Sequence, residues 1–305
     1  MTNRVHKILI LSASGMLGHQ MWRRVNEWAK GSSHQVFGTV RKSKDHYQAL
    51  GLPNTQNLFD GVDVGEFKKL DALLNQIKPS IVINCAGITL RKKDLSDIEK
   101  CYQLNGMLPQ FVGQWCNTHD AKLFHFSTDC VYDGKKGSSY LESDMPSAFD
   151  HYGQSKYLGE ASTGNSLTMR LSIVGRELEN KTELVEWILS QKDKHAKGYN
   201  AVKYSGLTTA YVAREVIRVI EKYPEISGLY HVSSEPISKY EIMEKINAKF
   251  DLNIKIEKNN EIVSNKALDC SRYEKATGFQ KPSWDQMIDD LFADREFYEN
   301  LKNKI

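Results

Sequence analysis

The chain has 305 residues, of which 40% are hydrophobic and 26% charged, enough to bury the cores of one or two domains of about 100–200 residues each. No apolar run approaches the roughly 18 residues that a membrane-spanning helix needs, and 41 Lys and Arg against 38 Asp and Glu leave a net charge of only +3. Composition therefore excludes intrinsic disorder and gives no support to membrane or nucleic-acid binding.

The five cysteines are odd in number, widely spaced and without a Cys-x-x-Cys pair. This is poor material for a disulfide framework or a zinc site, so we expect free thiols, no metal and a cytoplasmic location. The apolar stretch from Ile8 to Leu11 is too short for a signal peptide and is expected to form a strand.

Short apolar runs rich in β-branched residues alternate with longer helical patterns up to about residue 170. The pattern predicts strands at 7–11, 35–40, 80–84, 122–127 and 167–171, and helices at 16–29, 66–76, 94–118 with a break near Pro109, and 151–161. Such alternation implies βαβ crossovers, so the expected architecture is α/β, a Rossmann-type doubly wound parallel sheet covered on both faces.

After Ser172 the rhythm is looser. The pattern predicts helices at 183–190, 208–222 and 239–250, a loop at 198–200, a strand at 228–232 and a helical C-terminus. We expect residues 1–172 to form a dinucleotide-binding domain, with a returning segment near 201–232, and residues 173–200 and 233–305 to form a smaller, mostly helical region. No Pro/Gly/Ser-rich linker separates them, so the two should pack directly and share a cleft.

The segment from Lys7 to Val25 carries a glycine pattern typical of a phosphate-binding loop. Gly15 would let backbone approach a pyrophosphate, Gly18 would let the helix pack on the strand, and the free N–H groups at the helix start would bind the anion. An ordinary strand-turn-helix is the alternative, because Ser12 stands where the first glycine of the pattern belongs. The predicted set is Ser12, Ser14, Gly15, Met16, Leu17 and Gly18.

The second predicted strand ends in Arg41 and Lys42, where a site for NAD normally offers a carboxylate to the ribose 2′-hydroxyl. Basic groups suit a 2′-phosphate, so NADP(H) is the predicted coenzyme and NAD(H) the weaker candidate. A solvated basic turn is the alternative. Asp63 and Val64 follow the third strand and are candidates for contact with adenine, although Asp63 could instead cap the next helix.

Tyr152 and Lys156 lie four residues apart at the start of a predicted helix, so their side chains share a face. A nearby ammonium group would stabilise a tyrosinate, lower its pKa and make the phenol a usable acid or base, while also binding the ribose of the coenzyme. Thr128 ends the preceding strand, at the sheet edge where ligands bind, and its hydroxyl could orient a substrate carbonyl.

Other candidates converge on the same edge. Ala86 and Gly87, which follow the strand at 80–84, are small enough to let a nicotinamide or ribose approach the backbone. Asn105 lies in the next predicted helix, where it could support a proton relay or simply stabilise the helix. This predicted coenzyme-binding group comprises Cys85, Ala86, Gly87, Asn105 and Ser127.

Together, the segments "STDCVYDG", "YGQSKYLGE", "MRLSIVG", "YSGLTT" and "GLYHVSS" resemble the extended short-chain dehydrogenase/reductase family, in particular its dTDP-4-dehydrorhamnose reductase branch. The resemblance implies a Rossmann domain that binds NADPH and a second region that binds a nucleotide sugar. It assigns Thr128, Tyr152 and Lys156 to catalysis, and it implies reduction of a nucleotide-linked 4-keto-6-deoxysugar for surface polysaccharide synthesis.

The chain departs from this pattern in the expected sugar pocket. Cys130 stands where the family usually has an aromatic residue, and Ile173 where it often has Trp. Both changes enlarge or depolarise the pocket, so a UDP-linked 2-acetamido sugar is a candidate substrate beside the dTDP-linked one. The predicted substrate contacts are Asp129, Cys130 and Ile173, with Arg176, Lys181 and Lys203 at the diphosphate.

Two other functions remain open at this point. A sugar epimerase or dehydratase shares the fold, but dehydratases usually have Glu after the catalytic Thr-Asp, and here Asp129 is followed by Cys130. A non-catalytic, NADP-binding regulatory subunit resembling the β subunit of methionine adenosyltransferase is the second. A homodimer is a candidate assembly for any of them.

Overall fold

The computed structural model describes residues 5–89, 95–161 and 164–302. Its strands are β1 Lys7–Leu11, β2 Gln35–Thr39, β3 Leu58–Phe59, β4 Ile81–Asn84, β5 Lys122–Thr128, β6 Ser166–Leu171, β7 Ile173–Val174, β8 His195–Tyr199, β9 Val202–Tyr204, β10 Leu207–Thr208, β11 Gly228–His231, β12 Ile237–Ser238, β13 Lys255–Asn259 and β14 Ser264–Asn265. Its α-helices are α1 Met16–Ala29, α2 Lys44–Ala49, α3 Phe67–Ile77, α4 Leu95–Cys101, α5 Leu108–Thr118, α6 His151–Leu158, α7 Leu184–Ser190, α8 Thr209–Lys222, α9 Lys239–Phe250, α10 Ser271–Thr277, α11 Trp284–Ala293 and α12 Arg295–Lys302.

A seven-stranded sheet forms the centre, in the order β11-β6-β5-β4-β1-β2-β3. Every neighbouring pair in it is parallel. The predicted Rossmann-type α/β fold is therefore confirmed. The order also places β1 between β2 and β4, so the chain changes direction across the sheet beside β1, the position at which doubly wound folds bind ligands.

The core has one layer on each face of this sheet, because side chains alternate along a strand. Ile8 and Ile10 of β1 belong to the cluster that includes α1 and α8, whereas Leu9 and Leu11 belong to the cluster that includes α3 and α5. Burial on both faces explains why β1 is a continuous apolar run.

The second region contains more strand than predicted. Small sheets pair β10 with β7, β9 with β12 and β14, and β13 with β8. The expected loop at 198–200 was wrong, since Gly198 lies inside β8 and pairs with Lys258. A Cβ on Gly198 would lie 2.8 Å from the Tyr240 ring, so this glycine permits a close packing contact rather than a turn.

The expected helix break near Pro109 is also absent. Helices α4 and α5 are joined by a π-helical segment, Tyr102–Met107, and Pro109 lies in the first turn of α5. A proline is tolerated there because a first-turn N–H lacks an intrahelical partner within its own helix.

The last helix returns to the first. The Tyr298 hydroxyl of α12 lies 2.6 Å from His19 Nε2 and accepts a hydrogen bond of 2.7 Å from Gln20. Burial lowers the pKa of His19 to about 4, so the imidazole is neutral at physiological pH.

Parts of the second region also pack on the first. Helix α8 packs on α1, and β11 pairs with β6 and so extends the main sheet. The domain boundaries given above remain a prediction.

No helix within the described ranges has the length and apolar character needed to cross a membrane.

Gly18 gives the first testable prediction. A Cβ there would lie 1.9 Å from the Ser12 carbonyl oxygen, whereas a Cβ on Gly15 would lie 3.6 Å from the same atom. Gly18→Ala should therefore lower the free energy of unfolding by about 1–3 kcal/mol through overpacking, and Gly15→Ala by less than about 1 kcal/mol. Urea denaturation measures both, and equal losses would contradict the predicted role of Gly18.

Candidate active site

A cavity of about 1030 Å³ lies at the carboxyl ends of β1, β4 and β5. Its opposite wall comes from the loop between β7 and α7 and from β9 and β14. The predicted site residues that line it are Ser12, Ser14, Gly15, Met16, Leu17, Arg41, Cys85, Ala86, Gly87, Asn105, Thr128, Asp129, Cys130, Tyr152, Lys156, Ile173 and Lys203.

The phosphate loop at one end of this cavity is shaped by Ser12. Ser12 has a φ of +59°, the left-handed conformation that glycine adopts without strain and other residues adopt at a cost of about 1–2 kcal/mol. The Thr39 hydroxyl accepts a hydrogen bond of 3.0 Å from the Ser12 N–H, and the Thr39 carbonyl accepts one of 2.9 Å from the Ala13 N–H. Ser12 thus takes the conformation of the missing glycine, with Thr39 of β2 fixing the turn.

Helix α6 brings Tyr152 to Thr128. The Asp150 carboxylate caps the helix by accepting a 2.8 Å hydrogen bond from the Gly153 N–H, and a Cβ on Gly153 would lie 2.3 Å from the Cys130 carbonyl oxygen. This close contact sets the helix against the end of β5. Tyr152 is half-buried, and the Thr128 side chain is one of the groups that influence the pKa of its phenol.

The expected lowering of the Tyr152 pKa is not seen in this structure. Burial raises the pKa of the phenol above its ordinary value, and the Thr128 side chain only partly opposes this effect. Lys156 is not among its main influences. Tyr152 is therefore protonated at neutral pH, which is the form that a proton donor requires.

Lys156 is buried beside the loop after β4, whose small residues are predicted to contact the coenzyme. Its Nζ donates a 2.6 Å hydrogen bond to the Phe126 carbonyl, and a Cβ on Gly87 would lie only 3.7 Å from it. Burial lowers the pKa of Lys156 to about 8, although the Glu160 carboxylate favours its charged form. The side chain is thus cationic at pH 7 and held within reach of the loop after β4.

Asn105 connects three elements that form the cavity wall. Its Oδ1 accepts a 3.0 Å hydrogen bond from the Ile88 N–H, and its Nδ2 donates to the Ile88 carbonyl at 2.9 Å and to the Ser155 hydroxyl at 3.2 Å. A Cβ on Gly159 would lie 1.9 Å from the Asn105 carbonyl oxygen, so α6 packs directly against the π-helical segment. These contacts favour the supporting role for Asn105 over a proton relay.

Several predicted contacts lie outside the cavity lining. The Ser127 hydroxyl donates a 2.7 Å hydrogen bond to Glu160, which also forms a buried bidentate ion pair with Arg170. Arg176 is buried, with its Nε 2.6 Å from Glu186. Both side chains are committed to structural pairs, so the structure does not support coenzyme contact by Ser127 or diphosphate contact by Arg176.

The remaining predicted residues outside the lining have local roles or are exposed. Asp63 Oδ1 accepts a 2.9 Å hydrogen bond from the Gly65 N–H, and Val64 is buried in the core. Lys181 is exposed, with a φ of +50°. Lys42 forms an ion pair with Glu179. The bond of Asp63 closes a turn before α3, whose N-cap is Glu66 and has no side-chain capping bond, so the helix-capping alternative for Asp63 was wrong and its adenine contact stays a prediction.

The structure also adds lining residues that the sequence reasoning missed. Lys239 begins α9, Lys266 follows β14, and both reach the cavity with Lys203. Lys266 is the main charge favouring ionisation of buried Asp129, whose pKa burial raises. Tyr204 is 6% exposed, and its hydroxyl has no hydrogen-bond partner among the described residues. No sequence motif marks these residues, because only the tertiary fold brings them to the cavity.

Comparison with known proteins identifies the family. A family model described as the RmlD substrate binding domain matches residues 6–297. The chain belongs to this family.

Three further comparisons place this RmlD-family chain among known proteins. It is 24% identical to a dTDP-4-dehydrorhamnose reductase from Aggregatibacter actinomycetemcomitans, covering 94% of this chain and 98% of that protein. It is also 24% identical to the methionine adenosyltransferase 2 subunit beta of Mus musculus, covering 96% of this chain and 91% of that protein. A crystal structure of dTDP-4-dehydrorhamnose reductase from Bacillus anthracis in complex with NADP superposes with a TM-score of 0.77 at 20% identity, over 95% of this chain and 99% of that chain.

The described residues of this RmlD-family chain contain no cluster of three or more His, Cys, Asp or Glu placed to hold a metal ion. Its five cysteines are free thiols. Burial raises the pKa of Cys130 to about 12, so this half-buried group lines the cavity as a neutral thiol.

Two serines provide a test of the site. Ser14 lines the cavity beside the start of α1, whereas Ser127 is hydrogen-bonded to Glu160 outside it. Ser14→Ala should weaken NADPH binding about tenfold by removing a hydroxyl beside a charged phosphate. Ser127→Ala should leave the dissociation constant within about twofold and lower the free energy of unfolding by about 1–3 kcal/mol.

Calorimetric titration with NADPH and urea denaturation measure the two effects. A loss of NADPH affinity in Ser127→Ala as large as that in Ser14→Ala would contradict the site derived above.

Proposed function

We propose that the protein uses NADPH to reduce the keto group of a nucleotide-linked 4-keto-6-deoxysugar that serves surface polysaccharide synthesis. The observation that supports this most directly is the position of Thr128, Tyr152 and Lys156 on the wall of one cavity, next to the phosphate loop. That arrangement supplies a proton donor, a cation to stabilise it and a carbonyl-orienting hydroxyl within reach of a dinucleotide.

Tyr152 provides the proton. The coenzyme, when bound, supplies the hydride to the carbonyl carbon. The oxygen then gains negative charge and takes the phenolic proton, and because Tyr152 is protonated beforehand no prior proton uptake is needed. The Thr128 hydroxyl accepts a 3.1 Å hydrogen bond from the Cys130 N–H and lies 3.2 Å from Asp129 Oδ1. From this fixed position on the cavity wall it can turn its proton toward the substrate oxygen and orient the carbonyl.

Lys156 stabilises the phenolate that this transfer leaves. A cation on the same helix face as Tyr152 lowers the energy of the tyrosinate, and the Phe126 carbonyl holds the ammonium group in place before the reaction. Its position beside Gly87 also suits a hydrogen bond to the coenzyme ribose.

The far end of the cavity fits the diphosphate of the substrate. Lys203, Lys239 and Lys266 line it, and none of the three forms an ion pair with another described residue. Buried Asp129 and Tyr204 and half-buried Cys130 line the same cavity. Asp129 interacts electrostatically with Lys266 and Lys239 and also with Tyr152, so the sugar would be held beside it. Both dTDP- and UDP-linked sugars, with or without a 2-acetamido group, remain candidates.

Removing the proton donor tests the chemistry. Tyr152→Phe should lower the turnover of a keto-sugar substrate by about 100- to 10,000-fold and leave NADPH binding within about threefold. Thr128→Ala should cost less, about 2–4 kcal/mol of transition-state stabilisation at most, and Lys156→Ala should weaken both turnover and coenzyme binding. Tyr157→Phe, on the exposed side of the same helix, is the matched control and should retain full activity.

The assay follows NADPH absorbance with a panel of dTDP- and UDP-linked 4-keto sugars. Near-full turnover by Tyr152→Phe would overturn the mechanism. If the unmodified protein binds NADPH but reduces no sugar in the panel, the proposed enzymatic function is wrong and the regulatory-subunit function gains support.

A second prediction concerns the lysines. Lys266→Gln should raise the KM for the nucleotide sugar about tenfold by removing one charge-assisted phosphate contact, with the NADPH dissociation constant unchanged. Lys255→Gln changes the charge equally on exposed β13, outside the cavity lining, and should leave KM unchanged. Steady-state kinetics measures the KM of both variants. An equal rise in KM for Lys266→Gln and Lys255→Gln would show that only the net charge of the protein matters, which would contradict the phosphate contact proposed for Lys266.

A further inference from the structure

The loop between β7 and α7 crosses from the second region to the adenosine end of the coenzyme cleft. Several of its residues line the cavity, Glu177, Glu179 and Asn180 among them. The Glu179 carboxylate pairs with the Lys42 ammonium at the end of β2 and lies 2.9 Å from His46 Nε2 in α2. The loop is therefore tied to the segment that the sequence marks as the 2′-phosphate site.

Two buried carboxylates brace this loop. Glu177 accepts hydrogen bonds from the N–H groups of Thr182 and of Glu183, the latter at 2.7 Å. Glu186 accepts from Arg176 Nε at 2.6 Å and from the Glu177 N–H at 3.1 Å. The position of Glu179 is thus set by the fold of the loop as well as by its pairing with Lys42.

The basic groups at the end of β2 are consequently not equivalent. Arg41 lines the cavity and forms no ion pair with another described residue, whereas Lys42 is already paired with Glu179. A 2′-phosphate entering this site would meet two cations and one carboxylate. Like charges in close contact repel, so the phosphate must displace Glu179 from Lys42 and His46 or be held by Arg41 alone.

A ribose 2′-hydroxyl, as in NADH, favours a carboxylate rather than a cation beside it. It donates a hydrogen bond, and sites for NAD commonly meet it with a carboxylate at the end of the second strand. This chain has no carboxylate at Arg41 or Lys42, but Glu179 brings one to the same place from the facing loop.

We infer that Glu179 is a coenzyme-specificity residue that reduces the preference of the protein for NADPH over NADH. Its carboxylate competes with the 2′-phosphate of NADPH for Lys42 and His46. The same carboxylate accepts a hydrogen bond from the 2′-hydroxyl of NADH. This deepens the proposed function, since it concerns the coenzyme of the same site. It accounts for a cleft that carries both a basic pair and a carboxylate where dinucleotide sites normally offer one or the other.

The test compares binding of NADPH with NADH, and of 2′,5′-ADP with 5′-AMP, to the unmodified protein and to Glu179→Gln by titration calorimetry. Glu179→Gln should increase the ratio of the 5′-AMP to the 2′,5′-ADP dissociation constant about tenfold, and the NADH to NADPH ratio similarly. Asp45→Asn, an equal charge change on the exposed side of α2, is the matched control and should move either ratio less than about threefold.

Unchanged ratios in Glu179→Gln, or a shift no larger than in Asp45→Asn, would overturn the inference. A loosened loop would weaken all four ligands together and leave the ratios constant, which also counts against it. The binding readout needs no sugar substrate. If the protein reduces none of the sugars in the panel, the proposed reaction is rejected but the inference about Glu179 is not. If the protein reduces a sugar but Glu179→Gln leaves the ratios of dissociation constants unchanged, the inference is rejected and the proposed reaction is not.

Discussion

The site depends on a helix held against its neighbours at backbone contact distance. Helix α6 carries Tyr152 and Lys156, and glycines near both of its ends remove the Cβ atoms that would push it away. At one end Gly153 faces the Cys130 carbonyl, and at the other Gly159 faces the Asn105 carbonyl. Any larger residue at either position would move the phenol and the ammonium group together, because the helix between them is rigid.

Buried charge is distributed unequally around this helix. Two buried arginines are paired with carboxylates, in the Glu160–Arg170 and Arg176–Glu186 pairs, which limits the cost of desolvation. Lys156 instead has a backbone carbonyl as its hydrogen-bond acceptor, and burial lowers its pKa to about 8. A cation without a carboxylate bonded to it gains most from an anion that forms next to it, which fits the role proposed for Lys156.

The sequence predicted elements best where hydrophobic periodicity was strong. The bounds of α1, Met16–Ala29, were predicted residue for residue, since its apolar face repeats clearly over fourteen positions. Strand β8 was missed because Gly198 and its neighbours have the composition of a turn, and only the packing of Tyr240 explains the glycine. The π-helical segment was also missed, and it packs directly against α6 in the structure.

The same distinction applies to the site. Thr128 and Tyr152 could be predicted because their motifs lie on a strand end and a helix start whose positions the fold class determines. Lys266 and Glu179 could not, since each is a common surface residue type brought to the cavity by long-range packing. Ser127 is the converse case. Adjacent residues on a strand point to opposite faces, so Thr128 reaches the cavity and Ser127 bonds to Glu160 outside its lining.

The proton on Tyr152 has a different part in a reductase from the one it has in an epimerase or dehydratase of the same fold. Enzymes that begin by oxidising a sugar need a proton acceptor, and the cationic ring of an oxidised nicotinamide would favour a phenolate beside it. A reductase starts with the neutral dihydronicotinamide and needs the phenol protonated. Burial raises the pKa of Tyr152 and the Thr128 side chain only partly opposes this effect, so the phenol carries the proton that a reduction consumes.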